Sequence, residues 1–160
     1  MSIIEIELGI MIDIQIPAEF KPQEKEYIEQ AALQALQRGG SSPQVDLSIV
    51  LTNDEELRRL NQQFLDIDAP TDVLSFPAGE NDPETGILYL GDVIISLPSA
   101  QSQAEQGGHT LHDELQLLTV HGVLHLLGFD HAEAGDRDHM WQLQDAILES
   151  LGCNVRTPKD

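Results

Sequence analysis

The segment His121-Gly122-Val123-Leu124-His125-Leu126-Leu127-Gly128-Phe129-Asp130-His131 places three histidines within eleven residues. A helix turns once per about 3.6 residues, so His121 and His125 lie on one face with both imidazoles on the same side. Leu117, Leu118, Val120, Val123, Leu124, Leu126 and Leu127 surround the pair, so this helix is not simply solvated. Gly128 follows the last helical turn and is the residue type that takes a left-handed C-terminal cap. The chain can then reverse at Phe129-Asp130 and return His131 to the other two. Three neutral imidazoles from a helix and a turn fill three corners of a tetrahedron and leave one open. That is the ligand count of a catalytic zinc site, not of a closed structural one. The expectation is one Zn2+ per chain, held by His121, His125 and His131. Copper, nickel and iron also take imidazoles, so zinc is the favoured ion among several.

The residue after the first histidine restricts the chemistry. In zinc peptidases of the His-Glu-x-x-His type this position is the glutamate that activates water. Gly122 can neither take nor give a proton, so peptide hydrolysis by that route is disfavoured. A metal could still polarise a substrate oxygen or generate hydroxide. Asp130 is the nearest carboxylate in sequence. It either orients a ligand histidine or acts on the water, or it is a turn residue after the helix. The candidate catalytic set is therefore His121, His125 and Asp130.

Elsewhere the hydrophobic pattern alternates between strand and helix periods. Aliphatic residues at every even position from Ile4 to Ile16 predict one half-buried strand, with Gly9 a possible bend. Lys21 to Arg38 reads as a helix with Tyr27, Ile28, Ala31, Ala32, Ala35 and Leu36 inward. Val45 to Leu51 alternates as a strand. Thr52 with Glu55 forms a capping-box signal for a helix through about Phe64. Val73 to Phe76 reads as a short strand, and Pro77 to Glu84 as a loop. Ile87 to Leu97 reads as a strand interrupted at Gly91-Asp92. Helices follow over about Pro98–Gln106, Leu111–Leu127 and Gly135–Leu151. The expected fold is α+β, a single domain over residues 1–160 with one mixed, roughly four-stranded sheet and about five helices. The three-histidine site lies on a helix and the following turn.

The length of 160 residues suits one core, and the 41% hydrophobic fraction supports it. Cys153 is the sole cysteine, which excludes an intrachain disulfide and suits a reducing compartment. We read it as a buried, inert thiol. No uninterrupted apolar run is long enough for a membrane span. Glu5, Glu7 and Asp13 interrupt the N-terminal apolar stretch, which does not read as a signal peptide. A cytoplasmic location is the expectation.

Three blocks of the sequence resemble one known family. The histidine segment is similar to the signature of the YbeY family, bacterial metal-dependent endoribonucleases that mature ribosomal RNA. Ala69-Pro70-Thr71-Asp72-Val73-Leu74-Ser75-Phe76-Pro77 resembles the family's central block, and Leu90-Gly91-Asp92-Val93-Ile94-Ile95-Ser96 its Leu-Gly-Asp strand. The match runs from about Val45 to His131. The resemblance implies His121, His125 and His131 as zinc ligands and the same α+β architecture. It also implies a single-stranded ribosomal RNA substrate, with the small ribosomal subunit or its assembly proteins as partners, and no DNA substrate. There is one departure. Many members of the family place an arginine, thought to hold RNA phosphate, six residues before the threonine of the central block. Here that position is Leu65, which cannot pair with a phosphate. Arg58 and Arg59, earlier on the same helix, are the candidate substitutes for substrate binding.

Charge weighs against an RNA enzyme. The chain carries 28 acidic and 8 basic residues, for a net charge of −20, whereas nucleic-acid binding rests on Lys and Arg. The acidity also has a simple role in solubility. It predicts weak, salt-sensitive RNA binding by the isolated protein, with a partner or the ribosome supplying affinity. Glu114, seven residues before His121, is a possible support for the site or a helix N-terminal acid favoured by the dipole. Asp72 and Asp92 are possible orienting groups or caps. Ser75 is a possible hydroxyl donor with no base to make it a nucleophile. His109, His112 and His139 are expected at the surface, and Trp141 and Tyr27 in helix packing. The leading function is a zinc-dependent endoribonuclease. The alternatives are a non-catalytic ribosome-assembly or RNA-binding factor that retains the zinc site, and a metallopeptidase.

Overall fold

Strands form on either side of Gly9, where the alternation from Ile4 to Ile16 predicts a single one. The computed structural model describes residues 2–7, 9–20, 22–129 and 134–155, with residues 2–7 and Ala134 described by their backbone alone. Strand β1 (Ser2–Glu7) runs antiparallel to β2 (Ile10–Gln15), with Ile4 opposite Ile12. The reversal falls at Gly9, whose φ of +94° is left-handed backbone that favours glycine. A Cβ there would also meet the Gln44 side chain and the Pro43 carbonyl oxygen at 2.9 Å. A tight hairpin preserves the period of two through its turn, so alternation could not reveal it.

The sheet therefore has five strands, in the order β1-β2-β3-β5-β4. Strand β3 (Val45–Thr52) lies between β2 and β5 (Leu88–Ser96) and is parallel to both. Strand β4 (Val73–Asn81) pairs antiparallel with β5 along the edge. The sheet is mixed, as expected. Strand β4 runs further than its sequence suggests. The stretch from Pro77 to Asn81 reads as loop, yet it re-joins β5 beyond an irregularity between Pro77 and Glu80. An edge strand tolerates a residue that has no N–H to donate.

Five helices complete the α+β architecture: α1 (Pro22–Arg38), α2 (Asp54–Leu65), α3 (Leu97–Gly107), α4 (Leu111–Leu126) and α5 (Ala134–Ser150). The cap of α2 is Asn53 and not Thr52, which ends β3. The Asn53 Oδ1 accepts the Glu56 N–H at 2.9 Å, satisfying one of the orphan donors of the first turn.

One sheet face supplies Ile12, Ile14, Leu47, Ile49, Val93 and Ile95 to the core. Against them pack Ile28, Ala32 and Leu36 of α1, Leu115, Val120 and Leu124 of α4, and Met140 and Ile147 of α5. Each fully buried Leu or Ile contributes about 1.5–3 kcal/mol. Helix α4 is buried on nearly every side, which explains its apolar composition. Cys153 is buried and its thiol faces the Asp113 carbonyl oxygen at 3.5 Å. Among the described residues no helix is long and apolar enough to cross a membrane.

Candidate metal centre

The site is built on the stripe where α4 meets β4 and β5. Gly122 faces the sheet so closely that a Cβ would lie 2.5 Å from Val93 Cγ1 and 3.3 Å from Ser75 Oγ. The Ser75 hydroxyl donates to the Gly122 carbonyl at 2.9 Å. Only glycine lets the helix approach the sheet this closely. The glycine that denies the site a peptidase glutamate is thus also a packing requirement. Among the described residues Ser75 has this structural bond and no base bonded to its hydroxyl.

His121 and His125 stay half-buried, while Gly122, Val123 and Leu124 between them are buried. Their rings stand nearly perpendicular, at 76°, with centroids 4.5 Å apart. The two Nε2 atoms face each other at 3.1 Å. The other ring nitrogen of His121, Nδ1, lies 3.0 Å from Gln144 Oε1 on α5. An amide oxygen only accepts, so Nδ1 carries the proton and Nε2 presents its lone pair. Gln144 is 1% exposed, so this contact is fixed by packing.

The donor set fits a metal. Two imidazole nitrogens bound tetrahedrally at about 2.0–2.1 Å from zinc stand about 3.3 Å apart, and the observed separation is 3.1 Å. At that distance the His121 lone pair meets either a proton carried by His125 Nε2 or a cation between the two nitrogens.

After α4 the chain turns as its glycine predicts. Gly128 has φ +99°. Its N–H reaches the His125 carbonyl at 3.0 Å, and the Phe129 N–H reaches the Leu124 carbonyl at 3.0 Å. This paired closure redirects the backbone at the position the sequence assigns to the reversal. Asp130 and His131 lie outside the described residues. Among the described residues no third His, Cys, Asp or Glu joins the pair.

The remaining candidates fall elsewhere. Arg58 and Arg59 lie exposed on α2 and already have partners. Arg58 Nε is 2.7 Å from Asp68 Oδ1, and Arg59 Nη2 is 2.6 Å from Glu56 Oε1. Asp72 accepts from Gln103 Nε2 at 3.3 Å. Asp92 accepts from the Tyr89 hydroxyl. Successive strand residues point to opposite faces, so Asp92 points away from the side on which Val93 meets α4.

Glu114 is 3% exposed, and its Oε1 lies 2.6 Å from His109 Nε2. Its role is to hold the α3–α4 junction. Desolvation pushes the Glu114 carboxyl above the ordinary glutamate range, and the His109 bond partly opposes this. His109, expected at the surface, is drawn inward by this contact. His112 also departs from that expectation. It stacks on Tyr27 with ring centroids 4.4 Å apart and lies 3.2 Å from Glu24 Oε1. Tyr27, expected inward, is exposed. His139 is exposed as expected, with its ring edge-on to Phe129. In Trp141 the expected helix packing is a cation–π contact, with the Arg137 guanidinium 5.1 Å over the indole.

Sequence reasoning missed Gln144. Its signal was a polar residue on the buried face of α5, in register with Met140, Ile147 and Leu148.

The chain matches, over residues 12–152, the family model described as Endoribonuclease YbeY. It is 43% identical over 136 residues to the Endoribonuclease YbeY of Heliobacterium modesticaldum, covering 78% of this chain and 81% of that protein. It is 38% identical over 151 residues to that of Roseiflexus castenholzii, covering 91% and 95%. Its fold is similar to the solution structure of TM1509 from Thermotoga maritima. The TM-score is 0.60 at 27% identity, over 88% of this chain and 89% of that one.

Proposed function

This chain belongs to the YbeY family, and from that membership we propose that it is a zinc-dependent endoribonuclease. Its substrate is single-stranded ribosomal RNA, cut during ribosome maturation in the cytoplasm, and residues 1–160 act as one domain. The single observation that carries the metal chemistry is the convergence of the His121 and His125 Nε2 atoms at 3.1 Å. His121, His125 and His131 would hold the zinc. Bound there, the ion supplies Lewis acidity toward a phosphate oxygen and acidifies water.

The chain's own groups do the rest. Gln144 keeps the proton on His121 Nδ1 and aims Nε2 outward. Asp130, one residue before the third ligand, takes the proton of the attacking water. Arg58 and Arg59 bind flanking phosphates by exchanging their exposed pairs with Asp68 and Glu56, a cheap exchange because surface ion pairs are worth little. With a net charge of −20, the protein relies on the small ribosomal subunit or an assembly protein to bring RNA close.

The test is cleavage of a labelled single-stranded RNA with added zinc, beside His121→Ala purified identically. Cleavage lost in the variant supports the reading. Equal cleavage in both exposes a contaminating nuclease. No cleavage by either under several metals favours the second reading, a non-catalytic assembly factor. That alternative draws on Leu65 and on the two arginines already held by carboxylates. A Leu65→Arg variant that gains cleavage would support it further. Cleavage equal to that of the unaltered chain would place phosphate binding elsewhere. A metallopeptidase is disfavoured because the glutamate position, Gly122, has no space for a side chain.

A further inference from the structure

Among the described residues four large hydrophobic side chains are exposed, and three of them fall within four consecutive positions: Phe64 at 58%, Leu65 at 54% and Ile67 at 50%. Scattered exposed apolar residues need no explanation, but a contiguous group marks an interaction surface. This group is held rigidly. Asp66 is the one non-glycine residue with positive φ among the described residues, at +57°. Its N–H bonds to the Asn61 carbonyl, as does that of Ile67 at 3.2 Å. The Asn61 side chain is buried and donates to the Ala69 carbonyl at 2.9 Å. Phe64 leans on Phe76 of β4, with centroids 5.2 Å apart. A left-handed residue and a buried amide thus hold three apolar side chains outward in a preformed arrangement.

The electrostatics identify what would cover them. The last turn of α2 has no basic residue, so its exposed carbonyls and the negative end of its dipole are not countered there. Asp66 sits in the middle of the patch, and no described residue pairs with its carboxylate. Arg58, on the same helix, pairs with Asp68 and not with Asp66. Asp66 and the helix end themselves therefore disfavour phosphate on the patch. A second copy of a chain with net charge −20 is repelled too.

We propose that Phe64, Leu65 and Ile67, with Asp66 and the C-terminal end of α2, form a docking site for a basic protein segment. That segment presents an aliphatic or aromatic side chain between lysines or arginines. The apolar side chain seats on the patch and the cations meet Asp66 and the helix end. The site does not require the histidine pair to hold metal, so its test is independent of catalysis.

The experiment is a display selection of random peptides of about twelve residues on the intact chain, counter-selected on Leu65→Ser/Ile67→Ser. Both positions are at least half exposed, so the double variant should melt with the unaltered chain, which circular dichroism checks. The enriched peptides are expected to combine an apolar residue with lysine or arginine. Their binding should weaken about tenfold or more on the double variant and fall with Asp66→Asn and with added salt. The proposal is overturned if no patch-dependent peptide is enriched, or if the enriched peptides lack basic residues. It is equally overturned if the double variant abolishes binding of an oligoadenylate RNA or self-association of the chain.

Discussion

Gly122 combines two demands that pull in different directions: the histidine spacing fixes a helix, and the sheet fixes how near that helix comes. A methyl group at this position would sit 2.5 Å from Val93 Cγ1. Gly122→Ala is expected to destabilise the fold by about 1–3 kcal/mol through overpacking, read from the denaturant midpoint at unchanged slope. Gln144 acts differently, through its contact with His121 Nδ1. Replacing it with leucine removes the acceptor that sets the imidazole tautomer. Zinc affinity should fall about 10–100-fold by calorimetric titration, while Gln144→Glu, which keeps an acceptor, should hold close to the original value. Equal affinities for all three forms would reduce Gln144 to a packing residue.

The elements show where sequence patterns carried information and where they stopped. Helix α4 was legible end to end, because its histidine stripe, apolar girdle and Gly128 cap each name a position. The β1–β2 hairpin was not, since folding back at Gly9 leaves the alternation of isoleucines intact. The pairing of His109 with Glu114 was hidden for a related reason: the acid reads as a first-turn residue of α4, and its burial comes from packing. That pair has a measurable consequence. The folded-state pKa of Glu114 is raised, chiefly by desolvation, with Asp72 adding to the rise and His109 opposing it. Between the ordinary glutamate range and that raised value the unfolded chain gives up the proton while the folded chain keeps it. Stability from this group is therefore full at acid pH and is lost as pH rises through the window. Thermal midpoints across that window should decline in the unaltered protein and decline less in Glu114→Gln. Parallel curves would contradict the assignment.

For the whole molecule, the net charge of −20 decides how substrate is reached. Naked RNA should bind weakly, and cleavage should rise when the same RNA is presented on small ribosomal subunits. Comparable rates on both would show that the fold needs no help to collect RNA. Most of the architecture and the facing of His121 and His125 could be read from the chain, because periodicity and histidine spacing are local. Gln144 and Val93 could not, because their roles exist only once α4, α5 and the sheet are brought together. Strand β4 carries a last consequence. It forms one border of the sheet, and an open border is a template on which further strands can assemble into aggregates. Here that border includes Pro77, which offers no N–H, an interrupted register up to Glu80, and exposed residues from Pro77 to Asn81. Copies of the protein crowded together should therefore not join along β4, because this edge gives a neighbouring chain no regular ladder to extend.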